Sequence, residues 1–254
     1  MRAKVGQVTT VLLVRHGLTA ATGRTLSGWT PGIDLDERGT AQGRALGSRL
    51  AALPLDAIVS SPLERCQQTA AVLAAEGRDR PALATDERFG ECHYGDWTGQ
   101  ELKVLAKDPL WKVVQAHPSA VRFPGADGEA MLDMQHRAVT AVRDWNTRLG
   151  DKATYVICSH GDVIKAIVAD ALGLHLDLSQ RIQADPCSLT VIRYTPLRPF
   201  LLRINDTGGG VEDLIPREPE PGEESQASED ESDAVVGGGA GAGTVHEHSA
   251  EARG

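Results

Sequence analysis

Two hydrophobic rhythms alternate along this chain. Continuous β-branched and leucine-rich runs at residues 8–14 and 154–158 predict strands buried on both faces. Shorter runs predict further strands at 56–60, 81–85, 188–194 and 200–204. Between them the spacing changes to that of helices. Residues 36–52 carry acids in their first turn and Pro54 beyond their end, and 163–172 are closed by Gly173. Residues 127–149 place Met131, Met134, Ala138, Val142, Trp145 and Leu149 three and four apart, which predicts a long amphipathic helix. The helix predicted at 62–76 has a legible start: Ser61 as N-cap, Pro62 at the first helical position and Glu64 completing a Ser-x-x-Glu capping box. A stretch with Pro109, Pro118 and Pro124 predicts short helices and loop, a lid or insertion. Strands alternating with helices predict an α/β fold, a three-layer α/β/α sandwich around a mostly parallel central sheet.

Beyond Thr207 this periodicity stops. Glycine runs flank PREPEPGEESQASEDESD, so the chain divides into a domain at 1–207 and an acidic, glycine-rich tail at 208–254 that reads as disordered. Charge follows the same boundary. From Asn205 onward, 13 acidic residues stand against Arg217 and Arg253, a net of −11 where the whole chain carries −9, so the remainder stands at +2. With no basic stripe interleaved with aromatics, no nucleic-acid partner is expected. No run approaches membrane-spanning length, so no membrane partner is expected either. Cys66, Cys92, Cys158 and Cys187 form no CxxC pair, which suits a reducing compartment. The apolar run after Lys4 is short and followed at once by Arg15, without a cleavage pattern, so a cytoplasmic protein is expected. The oligomeric state is left open.

Ligands of open α/β sheets bind beyond the carboxyl ends of the strands. Just past the predicted strands stand Arg15-His16-Gly17, then Arg65 in the first turn of a helix, then Glu91, then His160-Gly161. Two arginines, two histidines and a carboxylate suit phosphoryl transfer. Guanidinium forks match phosphoryl oxygens bidentately, and a neutral imidazole can attack phosphorus. A protonated second imidazole would add a donor. A carboxyl group can protonate the departing alkoxide and then activate water. Glu87 is the alternative to Glu91. This chemistry calls for no metal and no cofactor.

The blocks VLLVRHGLT, LSGWTPGIDLDERG, VSSPLERCQQTA, ERFGECHYGDWTG, PGADGE and CSHGDVIKA resemble, in order and spacing, the histidine phosphatase superfamily, the phosphoglycerate-mutase-like group of phosphatases and mutases. The resemblance spans about residues 10–195. It implies a phosphoglycerate-mutase-like fold, His16 as the residue phosphorylated, Glu91 as proton donor and acceptor, and Arg15, Arg65 and His160 as the phosphate pocket. Gly17 and Gly161 resemble small residues that let backbone approach the phosphate, and Thr19 a nearby hydroxyl. Three positions depart from the family pattern: Leu18 for a glutamate, Thr22 for an asparagine that would contact substrate, and Thr98 for a glutamate. The mutases also carry a tryptophan followed by two arginines, where this chain has Trp111-Lys112-Val113. The expectation is a metal-independent phosphomonoester hydrolase acting on a small phosphorylated metabolite. A cofactor-dependent phosphomutase is the alternative, and a silent phospho-ligand binding module is a third that the presence of both His16 and Glu91 argues against.

Overall fold

A computed structural model describes residues 8–209 together with Gly237 and Gly239. Its frame is a six-stranded sheet in the order β3-β2-β4-β1-β5-β6. The strands are β1 (Thr9–Arg15), β2 (Ala57–Ser60), β3 (Leu83–Thr85), β4 (Thr154–Ser159), β5 (Leu189–Tyr194) and β6 (Pro199–Asp206). β3, β2, β4 and β1 run parallel, while β5 pairs antiparallel with β1 and β6 antiparallel with β5. The mostly parallel sheet expected from the sequence is therefore present.

Period-two alternation assigns each strand residue to a face. Val11 and Leu13 of β1, Ala57 and Val59 of β2, and Tyr155 and Ile157 of β4 join the apolar cluster under α5 (Met131–Leu149) and α6 (Gly161–Leu172). Leu12 and Val14, Ile58, and Val156 and Cys158 join the opposite cluster under α1 (Glu37–Leu50) and α2 (Glu64–Ala75). That is the three-layer sandwich, with β1 and β4 at its centre. Both faces of these strands are covered, which is why their sequences read as continuous apolar runs.

The stretch between β3 and α5 folds into 3₁₀ turns and two short helices, α3 (Leu102–Leu105) and α4 (Pro109–Ala116). An aromatic group pins it to the α5–α6 side. Trp97 lies 5.4 Å from Phe123 and 6.2 Å from Trp111 between ring centres. Trp111 is therefore a core residue.

Two predicted boundaries moved, each because a tertiary partner outbid a local one. α2 begins at Glu64, with Leu63 at the N-cap position and no side-chain cap. Ser61 Oγ accepts from the Leu63 amide at 3.3 Å but also pairs with His160 Nε2 at 2.8 Å, and Glu64 accepts from the Gly32 amide at 3.1 Å rather than reaching back to Ser61. The expected capping box is not formed. α5 begins at Met131 rather than near Asp127, because the Glu129 backbone donates to the His93 carbonyl at 2.8 Å instead of entering the helix.

α1 forms against its own propensity. It holds Gly39, Gly43 and Gly47, each costing about 1 kcal/mol relative to alanine in a helix. They form one stripe, four residues apart, that lets α1 approach its neighbours. A Cβ on Gly39 would lie 2.1 Å from the Leu18 carbonyl oxygen, one on Gly43 3.3 Å from Val72, and one on Gly47 2.9 Å from the Leu73 carbonyl. Gly17 faces the same contact from the other side, its hypothetical Cβ 2.6 Å from the Gly39 oxygen. Packing of α1 is thus one reason for a glycine at position 17. Gly39→Ala should lose about 3 kcal/mol of stability in urea unfolding, because the clash is with backbone that cannot rotate away. A variant within 0.5 kcal/mol of wild type, the range of an ordinary surface change, would contradict this packing.

Candidate active site

The parallel pairing of β1 and β4 sets Arg15 opposite Ser159, and His16 continues the ladder by donating its amide to the Ser159 carbonyl at 3.0 Å. The residues that follow the two strands, His16 and His160, are therefore neighbours. Their ring centres lie 5.4 Å apart in an edge-on arrangement. β2 ends alongside β4, and the chain past it turns into α2, which delivers Arg65 to the same place. Arg65 Nη2 donates to the Gly28 carbonyl at 2.8 Å and to His160 Nδ1 at 3.2 Å. Its other terminal nitrogen, Nη1, is buried and has no hydrogen-bond partner among the described residues. Arg15 Nη1 donates to the Ala184 carbonyl at 2.9 Å. Both guanidiniums are buried.

The ring hydrogen bonds settle the tautomers. His16 Nδ1 lies 2.8 Å from the Gly17 carbonyl, an acceptor, so Nδ1 carries the proton and Nε2 keeps its lone pair. His160 Nδ1 accepts from Arg65, which leaves Nε2–H to donate to Ser61 Oγ. Burial holds both imidazoles well below the ordinary histidine range, with Arg65 the next cause for each; Arg15 then adds to it at His16. The second imidazole would add a cationic donor only if protonated; with Nδ1 accepting from Arg65, His160 is neutral in this arrangement.

Glu91 is buried with its Oε1 accepting from the Cys92 amide at 3.0 Å and its Oε2 3.8 Å from His160 Nδ1. Burial, reinforced by Asp162, pushes its carboxyl up to about 7. With His160 neutral, the approach between them is not an ion pair. Glu87, the alternative, lies on the exposed side of its 3₁₀ turn. Arg15, His16, Thr19, Thr22, Arg65 and Glu91 line one cleft. Thr22 Oγ1 accepts from the Thr19 amide at 3.0 Å and pairs with Thr19 Oγ1 at 2.9 Å, so these hydroxyls also tie the loop. His160 stands behind Arg65 rather than in the cleft lining, Gly161 starts α6, and Leu18 is buried away from the cleft.

Sequence reasoning missed what holds the acid in place. Arg137 of α5 makes a two-pronged pair with Glu129, at 2.6 and 2.9 Å, and donates to the carbonyls of Arg88, Gly90 and Glu91 at 2.8, 2.8 and 2.9 Å. Glu129 in turn accepts from the His93 amide at 3.1 Å, and Trp29 Nε1 donates to the Glu91 carbonyl at 2.6 Å. PGADGE had marked the Glu129 region. Nothing local distinguishes Arg137, which reads as one more polar position on an amphipathic helix. Behind the site, Tyr94 donates to Asp162 at 2.9 Å, and Lys165 Nζ lies 3.7 Å from the same carboxylate. The four cysteines are buried; burial pushes the Cys92 and Cys158 thiols far up and Cys187 up to about 12, so these three are not thiolates at neutral pH. Among the described residues no group of three or more His, Cys, Asp or Glu side chains is placed to hold a metal ion, and no helix is long and apolar enough to cross a membrane.

The profile of the histidine phosphatase superfamily (branch 1) matches residues 11–207. The chain belongs to that family. A glucosyl-3-phosphoglycerate phosphatase of Mycolicibacterium vanbaalenii is 31% identical over 179 residues, 67% of this chain and 77% of the relative. A 2,3-bisphosphoglycerate-dependent phosphoglycerate mutase of a Methylobacterium species is 33% identical over 175 residues, 65% of this chain and 81% of the relative. Among solved structures, Bacillus stearothermophilus YhfR superposes with a TM-score of 0.70 at 32% identity, covering 78% of this chain and 97% of that one. Phosphatases and mutases thus both stand among the relatives of this histidine phosphatase.

The raised carboxyl of Glu91 has a consequence for stability. Its native value of about 7 lies above the ordinary 4.5, so its protonated form favours the fold; that stabilisation is full below 4.5 and lost as pH rises through about 7. The lowered histidines act in the opposite sense, their contribution present above 6.5 and lost as pH falls. They cancel in a comparison with Glu91→Gln, which keeps the shape and removes the titration. Glu91→Gln should therefore gain stability relative to wild type between pH 5 and pH 8 in denaturant unfolding. A difference independent of pH would mean that Glu91 is not buried as an acid.

Proposed function

We propose that this histidine phosphatase hydrolyses a small phosphomonoester through a phosphohistidine on His16 Nε2. The observation that carries the reading is Arg65 Nη1, a buried guanidinium N–H with no partner among the described residues, on a side chain that lines the cleft together with His16 and Arg15. A buried charged donor of this kind is costly unless an anion meets it.

In the first half-reaction the Nε2 lone pair attacks phosphorus while Arg15 and Arg65 hold the peripheral oxygens. The bond from phosphorus to the ester oxygen breaks, and the departing alkoxide takes the proton of Glu91. In the second, water attacks the phosphohistidine and gives its proton to the Glu91 carboxylate, the N–P bond breaks, and phosphate leaves with His16 restored. A carboxyl poised at about 7 serves both directions near neutral pH. His160, through its bond to Arg65, fixes the guanidinium rather than the substrate.

Hydrolysis is favoured over phosphoryl return by the cations of the cleft. Arg15 and Arg65 are its lining cations among the described residues; Trp111 is packed in the core and Lys112 does not line it. A substrate with a second phosphate or a carboxylate finds no second clamp there. Losing one charge-assisted contact costs about 1.5–3 kcal/mol, roughly tenfold to a hundredfold.

Incubation with a labelled phosphomonoester should leave acid-labile, base-stable phosphate on the protein and none on His16→Ala. Arg65→Ala should lose about 3 kcal/mol of transition-state stabilisation, roughly a hundredfold in kcat/KM. A phosphate-release screen, with phosphoglycerate isomerisation followed in parallel, identifies the substrate; label on serine, or isomerisation far outrunning hydrolysis, would overturn the reading. Arg137 acts through the acid loop, so Arg137→Met should lower kcat about tenfold to a hundredfold with KM unchanged, since displacements near 1 Å can cost that much. Arg137→Lys should restore little, lacking the fork that spans three carbonyls. Equal changes in KM would place Arg137 in substrate binding instead.

A further inference from the structure

Of the stretch read from sequence as a disordered tail, which falls almost wholly outside the described residues, Gly237 and Gly239 lie at the cleft. Gly239 accepts a hydrogen bond from Arg15 Nη1 at 2.6 Å, and Gly237 accepts from Arg15 Nη2 at 3.4 Å. The Gly237 amide donates to Asp162 Oδ2 at 3.0 Å, and Gly237 lines the cleft with His16, Arg65 and Glu91. Two carbonyl oxygens of one segment therefore occupy the guanidinium fork that, on the function proposed above, holds two phosphoryl oxygens. We propose that this segment is a built-in competitor for the phosphate pocket, an autoinhibitory contact supplied by the chain itself.

Glycine is what the position admits. Gly237 has φ +77°, and a Cβ there would lie 3.0 Å from Leu26 Cδ1. The 27 residues between Gly209 and Gly237 are ample in length for the return, since an extended chain spans about 3.3–3.6 Å per residue. The competitor is displaceable by design of its chemistry. A peptide carbonyl is a neutral acceptor, whereas phosphate meets Arg15 through charge-assisted bonds roughly twice as strong. Tethering keeps the weaker ligand relevant by giving it an effective concentration of about millimolar order. Substrate must therefore outcompete a permanent local occupant, which raises KM and leaves turnover at saturation untouched.

Gly237→Pro in the full chain tests this. Proline has no N–H for Asp162 and cannot take a positive φ. Inorganic phosphate binding by calorimetry and p-nitrophenyl phosphate kinetics should shift together: Kd and KM lower by about fivefold, kcat unchanged. Gly237→Ala, which keeps the N–H but strains at this φ, should fall between. Equal phosphate affinity in wild type and Gly237→Pro overturns the proposal. So does weaker binding in the variant, which would make the segment part of the phosphate site. Failure of both proteins to bind phosphate overturns this proposal and the pocket reading beneath it, whereas tighter binding in the variant without any turnover supports the contact and overturns the hydrolase reading alone.

Discussion

Two buried guanidiniums set against two neutral imidazoles are the constraint on which the rest of this molecule depends. Taking a charged group out of water costs several kcal/mol, so Arg15 and Arg65 can stay inside only where backbone carbonyls and imidazole lone pairs receive their protons. Ala184, Gly28 and His160 Nδ1 do so. Those acceptors come from separated parts of the chain and meet because β1, β4 and β2 lie side by side in parallel. Burial first, and then the same guanidinium field, lower the histidines, and a lowered histidine is one that keeps its lone pair at neutral pH. Structure and chemistry are here the same electrostatic arrangement.

The acid side is built differently. Glu91 sits on a turn with no regular secondary structure to fix it, so its position is borrowed from α5 through Arg137 and Glu129 and from the loop after β1 through Trp29. Its ionisation is set by burial and by Asp162, a residue of α6 that also meets Tyr94, Lys165 and Gly237. Asp162 thus links the acid, the floor of the cleft and the returning tail.

Much of this was legible in the chain. The alternation of strand and helix patterns located all six strands, and the strand-end rule collected Arg15, His16, Arg65, Glu91 and His160 before any contact was known. Misplaced details share a cause. Ser61 carries a good local capping signal and meets the Leu63 amide, yet it shares its hydroxyl with His160, about a hundred residues away. Gly17 reads as room for a ligand, and the structure adds that α1 packs on its Cβ side. Arg137 carries no signal, because a positioning residue is defined by the carbonyls it reaches and not by its neighbours in sequence.

By itself the sequence determined the order of layers, the strands buried on both faces and the residue types delivered to one sheet edge, since these follow from periodicity and from where strands end. The tertiary structure decided which nitrogen of each histidine carries its proton, which of two glutamates is buried as an acid, and what occupies Arg15. Those outcomes depend on desolvation and on partners far apart in the chain, and both come into being only when the layers close.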